Sequence, residues 1–124
     1  AYNERGWANG AGGLESTVDD LAAWNDALFS GKILSSAASA EMSAPHAKMD
    51  ETTSYGYGLM RRNDISGEDV VFHSGGIPGF TSMNVYLPKR RLSVVVLSNA
   101  FDGRLTSRFA WELLTIALGG TVER

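Results

Sequence analysis

The 124 residues are 44% apolar and 10% aromatic, the balance of an ordinary globular chain of one domain at most, long enough to bury roughly two thirds of its unfolded surface. Eleven basic against 14 acidic residues give a net charge of −3 with no basic stripe, which argues against nucleic acid as a partner. Cysteine is absent, so disulfides and thiolate metal sites are excluded, while the cellular compartment stays open.

The first 13 residues read as loop, ending in Asn9-Gly10-Ala11-Gly12-Gly13. A helix is expected over 17–30: Ser16 or Thr17 caps it, Asp19 and Asp20 sit in its first turn, and Val18, Leu21, Trp24 and Leu28 recur at helical spacing before Gly31. A second, shorter helix over 36–44 starts at a serine cap and stops at Pro45. From Ser54 the period changes to that of strands. Strands are predicted over about 54–60 and 69–74, joined by the polar stretch Arg61 to Glu68. A third, over 80–87, alternates Thr81, Met83, Val85 and Leu87 with its other face. Pro88-Lys89-Arg90-Arg91 reads as a solvated hairpin tip leading into a strand over 92–98, whose almost continuous apolar run fits a central strand covered on both faces. Asp102 caps a closing helix over 103–118, with Leu105, Phe109, Leu113 and Ala117 on one stripe and Gly119-Gly120 after it. Trp24, Phe109 and Trp111 are expected in the core. The class is therefore α+β: one domain, an antiparallel sheet of about four strands flanked by helices, the closing helix and the early helices on opposite faces. No stretch reaches the roughly 18 apolar residues of a membrane span, and Ala1-Tyr2-Asn3-Glu4-Arg5 carries no signal-peptide pattern.

Chemistry concentrates in Phe72-His73-Ser74-Gly75-Gly76-Ile77-Pro78-Gly79-Phe80, where a strand runs into glycines and resumes. Glycine inside a strand marks close backbone approach by a ligand or another chain segment, and His73 adds a polar, titratable side chain. Taken alone, a histidine at a strand end is most often a hydrogen-bonded structural residue.

The wider pattern resembles a family. Gly12-Gly13-Leu14-Glu15-Ser16-Thr17-Val18-Asp19-Asp20-Leu21-Ala22-Ala23-Trp24 is similar to a helix start of class C β-lactamases and their esterase, D-aminopeptidase and penicillin-binding relatives. Tyr55-Gly56-Tyr57-Gly58-Leu59 resembles the strand that follows it there. His73-Ser74-Gly75-Gly76 with Pro78-Gly79-Phe80 resembles the Lys-Thr-Gly motif in its His-x-Gly form. Leu87-Pro88, Val94-Val95-Val96-Leu97-Ser98-Asn99 and Trp111-Glu112-Leu113-Leu114 follow in the family's order. The resemblance implies a partial β-lactamase/transpeptidase-like fold. It places His73 and Ser74 at the substrate-binding and polarising positions, and the Gly76 N–H among the oxyanion donors. Gly75 lies between them on the substrate strand, and Tyr57 is a candidate substrate contact beside Tyr55. Histidine in the lysine position makes the charge depend on pH and moves the expected substrate from β-lactam toward ester or amide.

That family acylates a serine in Ser-x-x-Lys, assisted by Tyr-x-Asn. No serine here has lysine three residues on, and Tyr2, Tyr55, Tyr57 and Tyr86 lack asparagine two residues on. The expectation is thus a C-terminal fragment whose nucleophile comes from an N-terminal segment or a second chain, inactive by itself. No cofactor or metal is expected, since His46 has no ligand partner at the spacing a zinc site needs. The alternative is a non-catalytic binding or assembly module that keeps the scaffold and self-associates. A third reading builds an independent hydrolase from His73 with Glu68 or Asp69. The family is commonly periplasmic or extracellular.

Overall fold

The computed structural model describes residues 9–122, and the loop expected over residues 1–8 lies outside the described residues. After a short 3₁₀ turn at Asn9–Ala11, the Thr17 hydroxyl accepts the Asp20 N–H at 3.2 Å and opens helix α1, Val18–Phe29. Asp19 and Asp20 set negative charge at the positive end of its dipole. Ser35 caps α2, Ser36–Met42, in the same way, and the Ser39 hydroxyl donates to the Leu28 carbonyl at 2.7 Å, pinning α2 to the end of α1.

The sheet has six antiparallel strands in chain order rather than four: β1 Ala47–Lys48, β2 Thr53–Tyr55, β3 Met60–Ile65, β4 Glu68–Ile77, β5 Phe80–Leu87 and β6 Leu92–Ser98. Three strand boundaries differ from expectation. The strand expected over 69–74 runs on through the glycines to Ile77, because residues 75–77 keep pairing with β5. The stretch read as one strand over 54–60 is broken by a turn: Gly58 takes φ +74, the Gly56 N–H donates to the Leu59 carbonyl at 2.7 Å, and Tyr55 pairs back onto Met60. Conversely, the polar stretch after Met60 forms β3, closed onto β4 by the two-residue turn Ser66-Gly67, both at positive φ. Its charges suit a strand because each has a destination: Arg61 forks onto Asp69, and the Arg62 guanidinium lies 5.4 Å from the Trp111 ring centroid.

Helix α3, Gly103–Ala117, covers one face of β4, β5 and β6 over the core of Val70, Phe72, Met83, Val85, Leu87, Val94, Ala110 and Leu114. Helix α1 lies on the other face, where Phe29 stacks on Tyr86 at 5.3 Å, as expected of helices on opposite sides. There the buried Asn25 amide exchanges hydrogen bonds with Asn84 at 2.8 and 3.0 Å and donates to the Ser93 hydroxyl.

Three core expectations are corrected. The stripe of α3 that meets the sheet is Thr106, Ala110 and Leu114 with Trp111 and Leu118 beside it, because small Ala110 permits close approach and the Thr106 hydroxyl bonds Thr81 at 2.7 Å. The expected stripe is turned outward: Leu105, Phe109, Leu113 and the neighbouring Ile116 are 40–58% exposed. Trp24 is 50% exposed, since α1 buries Asn25 and Leu28 instead, and of the three aromatic residues only Trp111 packs on the core, edge-on to Phe72 at 5.1 Å. Strand β6, expected to be central, ends the sheet among the described residues; both faces have helical cover but its outer edge has no paired strand. The hairpin tip is also tied down, Arg90 to Glu68 and Arg91 to Asp26.

Candidate active site

The β4–β5 hairpin closes at Ile77↔Phe80 around Pro78 and Gly79, and Gly79 takes φ +91, as the third position of a type II turn requires. From Ile77 back to Val71 every residue of β4 pairs with β5, whereas the pairing with β3 stops at Met60↔Phe72. Among the described residues, 73–77 therefore present one paired and one open edge. Ser74, Gly75 and Gly76 are exposed on it and His73 is half-buried.

The pleat sends His73 and Gly75 to the α1 face and Ser74 and Gly76 to the α3 face, so the two polar side chains flank the edge rather than converge on one face. A Cβ at Gly75 would stand 2.4 Å from the Ser82 hydroxyl, which would have to rotate away; at Gly76 a Cβ would meet nothing within 4 Å.

His73 is fully engaged. Its Nδ1 lies 2.6 Å from the Ser74 carbonyl and its Nε2 2.9 Å from the Tyr55 hydroxyl, with the two rings edge to face at 5.8 Å. Tyr57, the aromatic side chain singled out from sequence, is 61% exposed and its ring lies tilted against that of His46, centroids 4.3 Å apart, instead. The residue missed as a contact is Tyr55. Its reach across β3 to His73 depends on a register between strands that are not adjacent, which a single sequence does not encode.

The carboxylates of the third reading are committed elsewhere. Asp69 receives the Arg61 guanidinium at 2.6 and 2.7 Å, and Glu68 receives Arg90 at 2.6–2.7 Å. Neither is the partner of His73, so a histidine–acid pair of this chain's own is not formed. A broad cleft lined by Lys48, Asp50, Arg61, Arg62 and Lys89 lies toward the opposite end of β2–β4. Among the described residues no cluster of three or more His, Asp or Glu side chains is disposed to hold a metal ion, and no helix is long and apolar enough to cross a membrane.

Comparison with known proteins gives a consistent picture. The family model described as Beta-lactamase matches residues 1–118. The D-aminopeptidase of Gluconobacter oxydans (strain 621H) is 29% identical over 118 residues, 94% of this chain and 22% of that protein. Penicillin-binding protein 4* of Bacillus subtilis (strain 168) is 31% identical over 91 residues, 73% of this chain and 20% of that protein. The chain thus spans about a fifth of the length of these curated relatives. Among solved structures, an octameric penicillin-binding protein homologue from Pyrococcus abyssi superposes with a TM-score of 0.75 at 30% identity, covering 86% of this chain and 25% of that one. A D-stereospecific amidohydrolase from Streptomyces sp. does so with a TM-score of 0.62 at 27% identity, over 77% of this chain and 30% of that one.

Proposed function

We propose that this chain, which belongs to the β-lactamase family, forms the substrate-strand wall of a serine hydrolase site whose nucleophile lies on a segment outside these 124 residues. The observation that carries the reading is the open, glycine-containing edge of β4 at residues 73–77. Hydrogen-bonded and non-bonded pairs alternate along an antiparallel ladder. Counted from the closing pair Ile77↔Phe80, this alternation turns the N–H and C=O groups of Ser74 and Gly76 away from β5 and toward the open edge. Two observations agree with that count: Phe72 faces β3, where it pairs with Met60, and the Ser74 carbonyl is free to meet His73 Nδ1.

In this reading the companion serine hydroxyl adds to an ester or amide carbonyl carbon, and the carbonyl electron pair moves onto oxygen. The Gly76 N–H donates to that oxyanion, an interaction worth about 3 kcal/mol in the transition state. Collapse expels the alcohol or amine with the proton taken from the serine and leaves the acyl group on the serine, from which water later removes it. Ser74 offers its hydroxyl to the substrate from one side of the edge. Tyr57 lies on the loop between β2 and β3 that borders the edge and contributes contact area to the substrate. An amide or ester substrate is favoured because the similar proteins include a D-aminopeptidase and an amidohydrolase by name, and because histidine stands in the lysine position. The test is a fluorophosphonate probe. Labelling is expected only when a polypeptide carrying Ser-x-x-Lys is added, and on that polypeptide; labelling of the isolated chain at one of its own serines would sink the proposal.

A second reading, an assembly module, has its own support in α3. Trp111 points toward β3 and β4, where it meets Arg62 and Phe72, so the flank bearing Leu105, Phe109, Leu113 and Ile116, roughly half a turn away around the helix, lies toward the open edge of β6. An unpaired strand edge roofed by an apolar helix flank suits another strand, either from the companion segment or from a second copy. The Pyrococcus abyssi homologue is an octamer by its description, which accords with self-association.

A further inference from the structure

The contact between Tyr55 and His73 has a chemical direction that can be worked out. A backbone carbonyl only accepts, so the 2.6 Å approach of His73 Nδ1 to the Ser74 carbonyl places a proton on Nδ1. In the neutral ring Nε2 is then the acceptor, and the Tyr55 hydroxyl 2.9 Å away donates to it. In the charged ring Nε2 carries a proton too, and the same Tyr55 oxygen accepts it. Tyr55 thus occupies Nε2 in both charge states, while the Ser74 carbonyl occupies Nδ1.

The placement of Tyr55 is built by the fold rather than left to one side chain. Tyr55 is the last residue of β2, its carbonyl accepts the His46 N–H at 3.0 Å, and the next residue has no room for a side chain, because a Cβ on Gly56 would stand 2.3 Å from the Met42 carbonyl oxygen. The Tyr57 N–H donates to that same carbonyl at 2.8 Å. The end of α2 therefore anchors the backbone on which Tyr55 is carried.

We propose that Tyr55 is a positioning residue that caps Nε2 of the His73 imidazole, whose Nδ1–H tautomer the Ser74 carbonyl fixes, and so controls access to that nitrogen. With Tyr55 in place the open edge of β4 offers a ligand the Ser74 hydroxyl and outward backbone groups, and no free imidazole. For specificity this means acyl groups without a carboxylate at that position, a consequence that rests on the reading of the edge as a substrate wall.

The control itself is measurable on the chain alone. Diethyl pyrocarbonate acylates unprotonated imidazole nitrogen, and the chain contains two histidines, of which His46 makes its Nε2 contact with Glu41 and serves as the internal reference. Tyr55→Phe should raise the rate of His73 carbethoxylation several-fold, followed by peptide mass spectrometry, and leave that of His46 unchanged. Equal His73 rates in the two proteins overturn the proposal. Should Tyr55→Phe disturb the fold, seen as a changed His46 rate, the wild-type chain still decides. Nitrogen-15 NMR above the titration range of histidine must show the His73 proton on Nδ1, and a proton on Nε2 overturns the proposal. Failure of probe labelling with a companion polypeptide sinks the substrate-wall reading and does not alter either of these outcomes.

Discussion

Gly76 can be tested by removing its N–H alone. Proline at 76 deletes that donor, and the preceding residue, Gly75, is the residue type most tolerant of a following proline ring. If the N–H faces the open edge, no ladder bond is lost, and the remaining penalty is the fixed φ, about 1–2 kcal/mol. Proline at 75 provides the contrast. The same alternation points the Gly75 N–H at β5, and a side chain there meets the Ser82 hydroxyl at 2.4 Å, so its loss should reach about 3 kcal/mol or more. Alanine at 76 keeps the N–H and meets nothing within 4 Å, so it should lie within about 1 kcal/mol of wild type. The assays are urea unfolding of the chain and acylation rate in the presence of the companion polypeptide. Gly76→Pro should lower the acylation rate about 10²- to 10³-fold while Gly76→Ala leaves it near wild type. Two results refute the reasoning: Gly76→Pro as destabilising as Gly75→Pro, which would put the N–H inside the ladder, or Gly76→Pro acylating at the wild-type rate.

Asn25→Ala leaves the half-buried Asn84 amide without its reciprocal partner and should cost about 1–3 kcal/mol in urea unfolding. Gly56→Ala must move its new Cβ by about 0.7 Å to clear the Met42 carbonyl oxygen, and should cost about 2–4 kcal/mol by straining the bonds of Gly56 and Tyr57. In acid, Asp26 is held below the usual carboxylate range by the Arg91 hydrogen bond, Asp64 by Arg62, and Asp50 by the Thr52 and Thr53 N–H groups. Because the unfolded carboxylates take up protons more readily, stability from these groups is fully present above about pH 4 and falls as the pH drops through the lower folded values. Thermal unfolding from pH 6 to 2 should show this decline, and Arg91→Ala should flatten it. The outward flank of α3 predicts concentration-dependent self-association of the isolated chain in sedimentation velocity. Leu113→Lys should weaken it without lowering stability, since that side chain is 46% exposed.

The three capped helices, opened by Thr17, Ser35 and Asp102, were legible because their signals are local. Thr17 and Ser35 each precede residues whose free N–H groups they satisfy, and glycine with positive φ follows α1 and α3. The alternating strand over 80–87 was legible for the same reason, with Thr81, Met83, Val85 and Leu87 all buried on one face. The reading failed where two neighbours of similar character competed. Tyr55 to Met60 has strand-like residue types, yet Gly58 and the Met42 carbonyl turn it into a reversal, and the carbonyl comes from α2. On α3, apolar residues occupy both flanks, so periodicity alone could not choose between Leu105-Phe109-Leu113 and Thr106-Ala110-Leu114.

By itself, the sequence determined the α+β class, the family and the strand His73-Ser74-Gly75-Gly76, because caps, strand period and ordered motifs are properties of neighbouring residues. Only the tertiary structure decided that this strand has one open edge, that β6 ends the sheet, and that Tyr55 rather than Tyr57 meets His73. These depend on registers and helix rotation, and a one-residue shift in either exchanges the faces on which side chains fall.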